Sequence, residues 1–328
     1  MYDFCRNLDV FVHFYPLDIR KRYVYNTKMD NIVANRRKIA APILKMQKPK
    51  KVIAFGWYGG KFSHLDWLLP QLPDCFHYCE PFAGSGAVLL NRKSSSVETY
   101  NDIDGEVVNF FRVLREEKEA LIEKIALTPF SREEFGLACE LNPNITDIER
   151  ARRFYVRARQ VRTGLAQTAS IGRWANCKNT SRAGMSGVVS RWLGGIEQLQ
   201  HIADRLLRVQ IENRPAIDVI QLYDSKETLF YCDPPYIHST RGDTKSYRFE
   251  MDNYEHEALA KVLNNVNGLV ALSNYDCGLM DELYPPEKWN KIYAPQKTIH
   301  STKDLRQEVL WVNYDISNLI YENNGNLF

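Results

Sequence analysis

The stretch 76–104 restricts the fold of this chain more than any other. Phe76–Cys79 is a short apolar run of strand type, and it breaks into Glu80-Pro81-Phe82-Ala83-Gly84-Ser85-Gly86. Apolar Ala87–Leu90 then opens a helix, and a second strand-like run, Val97–Tyr100, ends on Asn101-Asp102-Ile103-Asp104. Strand, glycine-rich bend, helix and strand in this order form the pattern of a doubly wound parallel sheet. The same alternation extends on both sides. His64–Leu72 has helical spacing, and Val107, Phe111, Leu114, Leu121 and Ile125 recur at helical intervals. Further strands are expected at Val209–Glu212, Thr228–Cys232, Gly268–Ser273 and Glu308–Asn313, with a helix over Glu255–Asn264.

Charge divides the chain into parts. Residues 1–51 carry a net +8 and residues 150–214 a net +10, while 52–149 and 215–328 together carry −15. Two basic segments on an acidic remainder point to a polyanion, and nucleic acid is the natural one. Residues 150–195 hold Arg, Gly, Ser and Thr with few long aliphatics, so a loop-rich basic insertion is expected there. Helical spacing resumes at Ile196, Leu199, Ile202 and Leu206. The expected organisation is a basic N-terminal extension over 1–50, one α/β domain made of 51–149 and 215–328, and an inserted region over 150–214. With 25% charged and 12% aromatic residues, wholesale disorder is excluded. No run has the length of a membrane span, and the N-terminal apolar patch is broken by Asp9 and Asp18, unlike a secretory signal. Seven scattered cysteines, an odd number, suit a reducing cytoplasm better than a disulfide framework.

Three segments can carry chemistry. Glycines in the 80–86 bend let the backbone turn sharply and approach a ligand, and Asp102, at the end of the next strand, can accept from both hydroxyls of a ribose. The second segment, Leu229-Phe230-Tyr231-Cys232-Asp233-Pro234-Pro235-Tyr236, is an apolar strand ending in a carboxylate, two prolines and an aromatic. The prolines fix a rigid turn, leaving the Asp233 carboxylate and the Pro234 carbonyl as acceptors at the sheet edge where ligands bind in open α/β folds. The third is Gly56-Trp57-Tyr58-Gly59-Gly60-Lys61, whose lysine can meet a carboxylate. Cys75-x-His77-x-Cys79 has no second ligand pair at zinc spacing, so no metal is expected.

Taken together and in this order, the three motifs resemble the Dam-type, class α, S-adenosylmethionine-dependent DNA adenine-N6 methyltransferases. The likeness spans roughly residues 52 to 315, and later segments such as YEHEALAKVL, ALSNYD and EVLWVNY also fit it. It implies a Rossmann-like α/β fold: a doubly wound, mostly parallel seven-stranded methyltransferase sheet with a small inserted target-recognition domain at 150–214. It also implies roles. Trp57 and Lys61 contact the cofactor, with Lys61 near the methionine carboxylate. Glu80, Pro81, Phe82, Gly84 and Gly86 form the cofactor loop, Asp102 holds the ribose, and Asp233 lies beside both cofactor and base. Asp233 and Pro234, with Pro235 and Tyr236, make the catalytic turn, Tyr236 stacking on a flipped-out adenine. Arg173, Arg182 and Arg191 are the candidate DNA contacts. The expected partner is double-stranded DNA, with the chain acting as a monomer in the cytoplasm of a bacterium or phage-infected cell; a cognate restriction endonuclease is left open. Cytosine N4, RNA adenine or a protein glutamine as acceptor, and an inactive DNA-binding relative, remain as rivals at this stage.

Overall fold

Burial on both faces explains the central sheet. The computed structural model describes residues 51–140, 142–162, 166–240, 248–295 and 307–317; the basic extension expected over 1–50 lies outside the described residues. In chain order the elements are α1 (Leu65–Leu68), β1 (His77–Glu80), α2 (Ala87–Asn91), β2 (Val97–Asn101), α3 (Gly105–Glu116), α4 (Lys118–Ala126), α5 (Arg132–Cys139) and α6 (Asp147–Gln160). There follow β3 (Ser181–Arg182), β4 (Met185–Ser186), α7 (Gly187–Leu206), β5 (Gln210–Glu212), α8 (Ala216–Tyr223) and β6 (Thr228–Cys232). The last are α9 (Asn253–Leu263), β7 (Leu269–Tyr275), α10 (Gly278–Leu283), β8 (Asn290–Tyr293) and β9 (Glu308–Val312). Seven strands form one sheet in the order β5-β2-β1-β6-β7-β9-β8. All neighbours are parallel except β9, which runs antiparallel to both β7 and β8.

Side chains alternate across the pleat and so feed two cores. Tyr78, Leu229, Tyr231, Ala271 and Leu310 enter one cluster, with α3, α4, α6 and α7. Cys79, Phe230, Cys232, Val270, Leu272 and Trp311 enter the other, with α8, α9 and α10. Strands covered on both faces read as continuous apolar runs, which is why β6 and β9 are so plain in the sequence. Among the described residues, no helix is long and apolar enough to cross a membrane.

Some elements depart from the sequence expectations. The helical spacing over 64–72 is met by a short α1 flanked by 3-10 turns, with Pro70 inside the second of these. The periodic run 107–125 is two helices, α3 and α4, that break at Glu117. The largest difference concerns the basic stretch. The 149/150 boundary falls inside α6, whose buried Phe154 and Tyr155 join the core, Tyr155 stacking on Phe110 with ring centroids 5.5 Å apart. Much of the stretch's positive charge is spent internally. Arg150 and Arg157 pair with Glu106, Arg152 with Glu134 and Glu149, and Arg153 with Glu149. Their aliphatic stems and ion pairs let an arginine-rich segment fold as a helix on an acidic core. At the far end, β5 is an edge strand of the main sheet. Among the described residues of the stretch, only the segment 166–186, with its two-residue hairpin β3–β4, is loop-rich as expected.

One ion pair fastens α7 to the sheet. Arg205 donates to both oxygens of Glu98 on β2, at 2.5 and 2.6 Å, and Glu98 is 1% exposed. Removing the cation would strand a buried carboxylate. The variant Arg205→Ala is expected to lose about 3 kcal/mol of folding free energy. Urea unfolding checks this, through a lower midpoint at unchanged slope.

Candidate active site

The C-terminal ends of β1, β2 and β6 meet at one edge, and the loops leaving them interlock. After β1 the chain turns through Gly84 and Gly86, which have φ of +51° and +62°. Gly86 is the N-terminal cap of α2, and its N–H donates to Ala83 O at 2.8 Å. Four bonds tie this loop to the end of β2. Ala83 N–H donates to Asn101 O at 2.9 Å, Gly84 N–H to Asp102 Oδ2 at 2.8 Å, the Asn101 side-chain amide to Pro81 O at 2.8 Å, and Tyr100 O–H to Gly84 O at 2.7 Å. A Cβ on Gly84 would lie 2.5 Å from the indole nitrogen of Trp57, so that ring packs directly on the glycine loop. The second oxygen of Asp102 accepts from Asp104 N–H at 2.8 Å. Asp102 is 9% exposed, and burial raises its pKa to about 6 against the pull of these N–H groups.

Asp233 follows β6, and its Oδ1 accepts from Lys61 Nζ at 2.6 Å. Lys61 is 3% exposed. Its ammonium also donates to Gly59 O at 3.0 Å, stands 3.5 Å from Glu308 Oε1 and lies 4.9 Å from the Tyr236 ring centre. Burial acts to lower the lysine's pKa, but Asp233 and Glu308 outweigh it and hold it above the ordinary value. Burial likewise raises Asp233 to about 6; Lys61 opposes this and Glu308 adds to it. Lys61, expected near a cofactor carboxylate, thus has its ammonium on the catalytic-motif carboxylate. Tyr236 is buried, edge-on to Tyr275 at the end of β7, with ring centroids 4.8 Å apart. Glu80, 2% exposed, accepts from Tyr78 O–H at 2.7 Å, and burial raises its pKa to about 8.

All three motifs line one cavity of about 370 Å³, including Trp57, Lys61, Phe82, Asp102, Asp233 and Pro235. The sequence reading missed several residues that share its wall, among them Gln167, Ile217 and Phe249. Gln167 and Phe249 lie in loops and Ile217 in α8, outside all three motifs, so no local signal marked them. Arg173, Arg182 and Arg191 do not line the cavity; they are exposed, with no acidic partner among the described residues. The adjacent tryptophans face inward. Trp192 is buried against Tyr155, and Trp174 donates from its indole to Gln160 Oε1 at 3.1 Å. His77 bonds to Thr99 Oγ1 at 2.9 Å inside the sheet.

Residues 57–300 match the model of the D12 class N6 adenine-specific DNA methyltransferases. The chain belongs to this family. It is 27% identical to the type II methyltransferase M1.LlaDCHI of Lactococcus lactis subsp. cremoris over 284 residues, covering 79% of this chain and 94% of that protein. It is 26% identical to a DNA adenine methylase of Vibrio cholerae serotype O1 over 264 residues, 75% of this chain and 89% of that one. A shorter match, 37% identical over 68 residues, is to the DNA N-6-adenine-methyltransferase of Escherichia phage P1; it covers 21% of this chain and 9% of that protein. The protein is a DNA adenine-N6 methyltransferase.

The Lys61–Asp233 pair predicts the pH response. An ionised Asp233 accepts an N–H more strongly than its protonated form, and its pKa stands near 6 with Lys61 lowering it. Single-turnover methylation at saturating cofactor should therefore fall as pH drops through about 6. In Lys61→Met the opposing cation is gone, so the acidic limb should move to higher pH. Rate–pH profiles of the two proteins check both the position of the limb and the direction of its movement.

Proposed function

We propose that the cavity holds S-adenosylmethionine along the Phe82–Gly86 loop and Asp102, and receives a flipped-out adenine at Asp233-Pro234-Pro235-Tyr236. The observation that carries this reading is that Phe82, Ala83, Gly84, Ser85 and Asp102 line the same cavity as Asp233 and Pro235. The donor set suits such a cofactor. Phe82 and Ile217 offer apolar walls, Trp57 lies over the glycine loop, and the Glu80-Pro81 bend closes the floor. Each oxygen of Asp102 uses one lone pair on a backbone N–H, leaving others for ribose hydroxyls. When bound, the cofactor supplies a methyl group made electrophilic by a positively charged sulfur.

The residues of this chain then orient the acceptor. The lone pair of an adenine amine is delocalised into the ring, so the group is a poor nucleophile. Asp233 and the Pro234 carbonyl accept its two N–H bonds, which favours a pyramidal nitrogen and aims its lone pair. Lys61 helps keep Asp233 ionised for this task, and Asp233 is the nearest base for the proton that the methylated amine sheds. Tyr236, held by Tyr275, stacks on the base, which cannot reach the pocket from inside a duplex.

Methyl transfer from labelled cofactor to duplex DNA, followed by nucleoside analysis, tests the reading, with N6-methyldeoxyadenosine as the expected product. Asp233→Ala should lose more than about tenfold in rate, equal to about 1.4 kcal/mol of barrier, and keep its cofactor affinity. Asp102→Ala should instead weaken cofactor binding about tenfold or more in calorimetry, because a charged hydrogen-bond acceptor is removed.

DNA attraction is assigned to the exposed cations of the 166–191 stretch, since Arg150, Arg152, Arg153 and Arg157 of α6 are already paired with acids of the fold. Replacing Arg173, Arg182 and Arg191 together by Gln should weaken DNA binding. It should also lower the salt slope by about 0.9 for each phosphate that is no longer neutralised, with cofactor affinity unchanged. Affinity measured at several salt concentrations checks this, and an unchanged slope would mean that these side chains face only solvent.

A further inference from the structure

Asp104 is 1% exposed, and both its oxygens are in use. Oδ1 accepts from Glu106 N–H at 3.0 Å, capping α3, and Oδ2 accepts from the side-chain amide of Gln167 at 3.0 Å. The other end of that amide, Gln167 Oε1, accepts from the backbone N–H of Arg248 at 3.2 Å. The guanidinium of Arg248 stands 3.9 Å from Asp104 Oδ1. One glutamine thus joins three segments: the turn after β2, the loop-rich part of the basic stretch, and the segment 248–251. All three line the cavity, through Asp102 and Ile103, through Gln167 itself, and through Phe249, Glu250 and Met251.

The bonds continue in both directions. On the cavity side, Asp104 N–H donates to Asp102 Oδ1 at 2.8 Å, so Asp104 is one bond from the acid assigned to the cofactor. On the DNA side, the residue after Gln167 accepts from Arg173 Nη1, through Thr168 Oγ1 at 3.1 Å. Toward the catalytic turn, His238 Nε2 lies 3.3 Å from Glu250 Oε2. A ligand on Asp102 and a phosphate on Arg173 would each restrain the same short chain of hydrogen bonds. Ordering by the first ligand leaves less disorder for the second to remove, and the result is mutual tightening.

We propose that Gln167 is a positioning residue that couples cofactor binding to DNA binding by bridging Asp104 and the Arg248 backbone. The inference rests on the assignment of the cofactor to Asp102. Its two polar ends are both required. Gln167→Ala removes both; Gln167→Glu keeps the acceptor for Arg248 N–H but places a carboxylate against Asp104.

The test uses the full chain and S-adenosylhomocysteine, which binds without turnover. Its affinity is measured by calorimetry alone and in the presence of sheared genomic duplex DNA free of adenine methylation. The wild-type protein should bind it at least about fivefold more tightly with DNA, the lower end of ordinary coupling. In Gln167→Ala and Gln167→Glu that ratio should fall toward one, while affinity without DNA changes less than the ratio does. Gln167→Asn, which retains both polar ends on a shorter stem, should recover part of the ratio, a result that loss of fold cannot produce. A wild-type ratio near one, or a full ratio in Gln167→Ala, overturns the proposal. Asp102→Ala serves as the control: if it binds S-adenosylhomocysteine as the wild type does, the cofactor assignment fails instead.

Discussion

Asp102 accepts two backbone N–H groups, one from Gly84 in the preceding loop and one from Asp104 in its own turn. The cavity depends on this pair of bonds. Without the first, the glycine loop would keep to the end of β2 through the Tyr100 O–H, Ala83 N–H and Asn101 amide bonds, with Gly84 itself held less firmly. Without the second, the chain would enter α3 along a different path. Burial drives the carboxyl toward its neutral form, and the two N–H groups resist that drive. A single side chain therefore ties down the loop, fixes the turn that precedes α3 and presents an acid to the cavity.

Much of this was legible in the residues. The strands buried on both faces announced themselves as apolar runs, and β6 has the bounds that Thr228–Cys232 suggested. The three motifs named the ends of β1 and β6 and the turn after β2 because glycine, proline and acid leave strong local marks. Other parts could not be read locally. Glu308 begins a strand and looks unremarkable there. It reaches Lys61 only because β9 runs antiparallel, pairing Glu308 with Tyr275 at the ligand edge of β7. Strand direction is decided by the whole sheet rather than by the residues of one strand. The same holds for α6, where arginines that suggest a basic loop are neutralised by Glu106, Glu134 and Glu149 from other elements or from the same helix.

That neutralisation changes how the charge pattern should be understood. A net +10 over 150–214 is a fact of composition, yet Arg150, Arg152, Arg153, Arg157 and Arg205 are committed to acids of the fold. Part of the complementarity between basic stretch and acidic remainder therefore serves the fold itself. Of the cations left exposed in the stretch, Arg173, Lys178, Arg182 and Arg191 flank the hairpin β3–β4 in sequence, while Arg208 and Arg214 stand before and after β5.

The packing of Trp57 on Gly84 has a consequence for how such a chain can vary. Position 84 rejects a side chain twice over, by its φ of +51° and by the indole standing where a Cβ would be. A smaller residue at 57 would remove the second obstacle but not the first. Divergence among descendants of this sequence should therefore be one-sided: position 57 can drift while glycine persists at 84, and a non-glycine at 84 should be found only where the ring at 57 has already gone and the loop has taken another course.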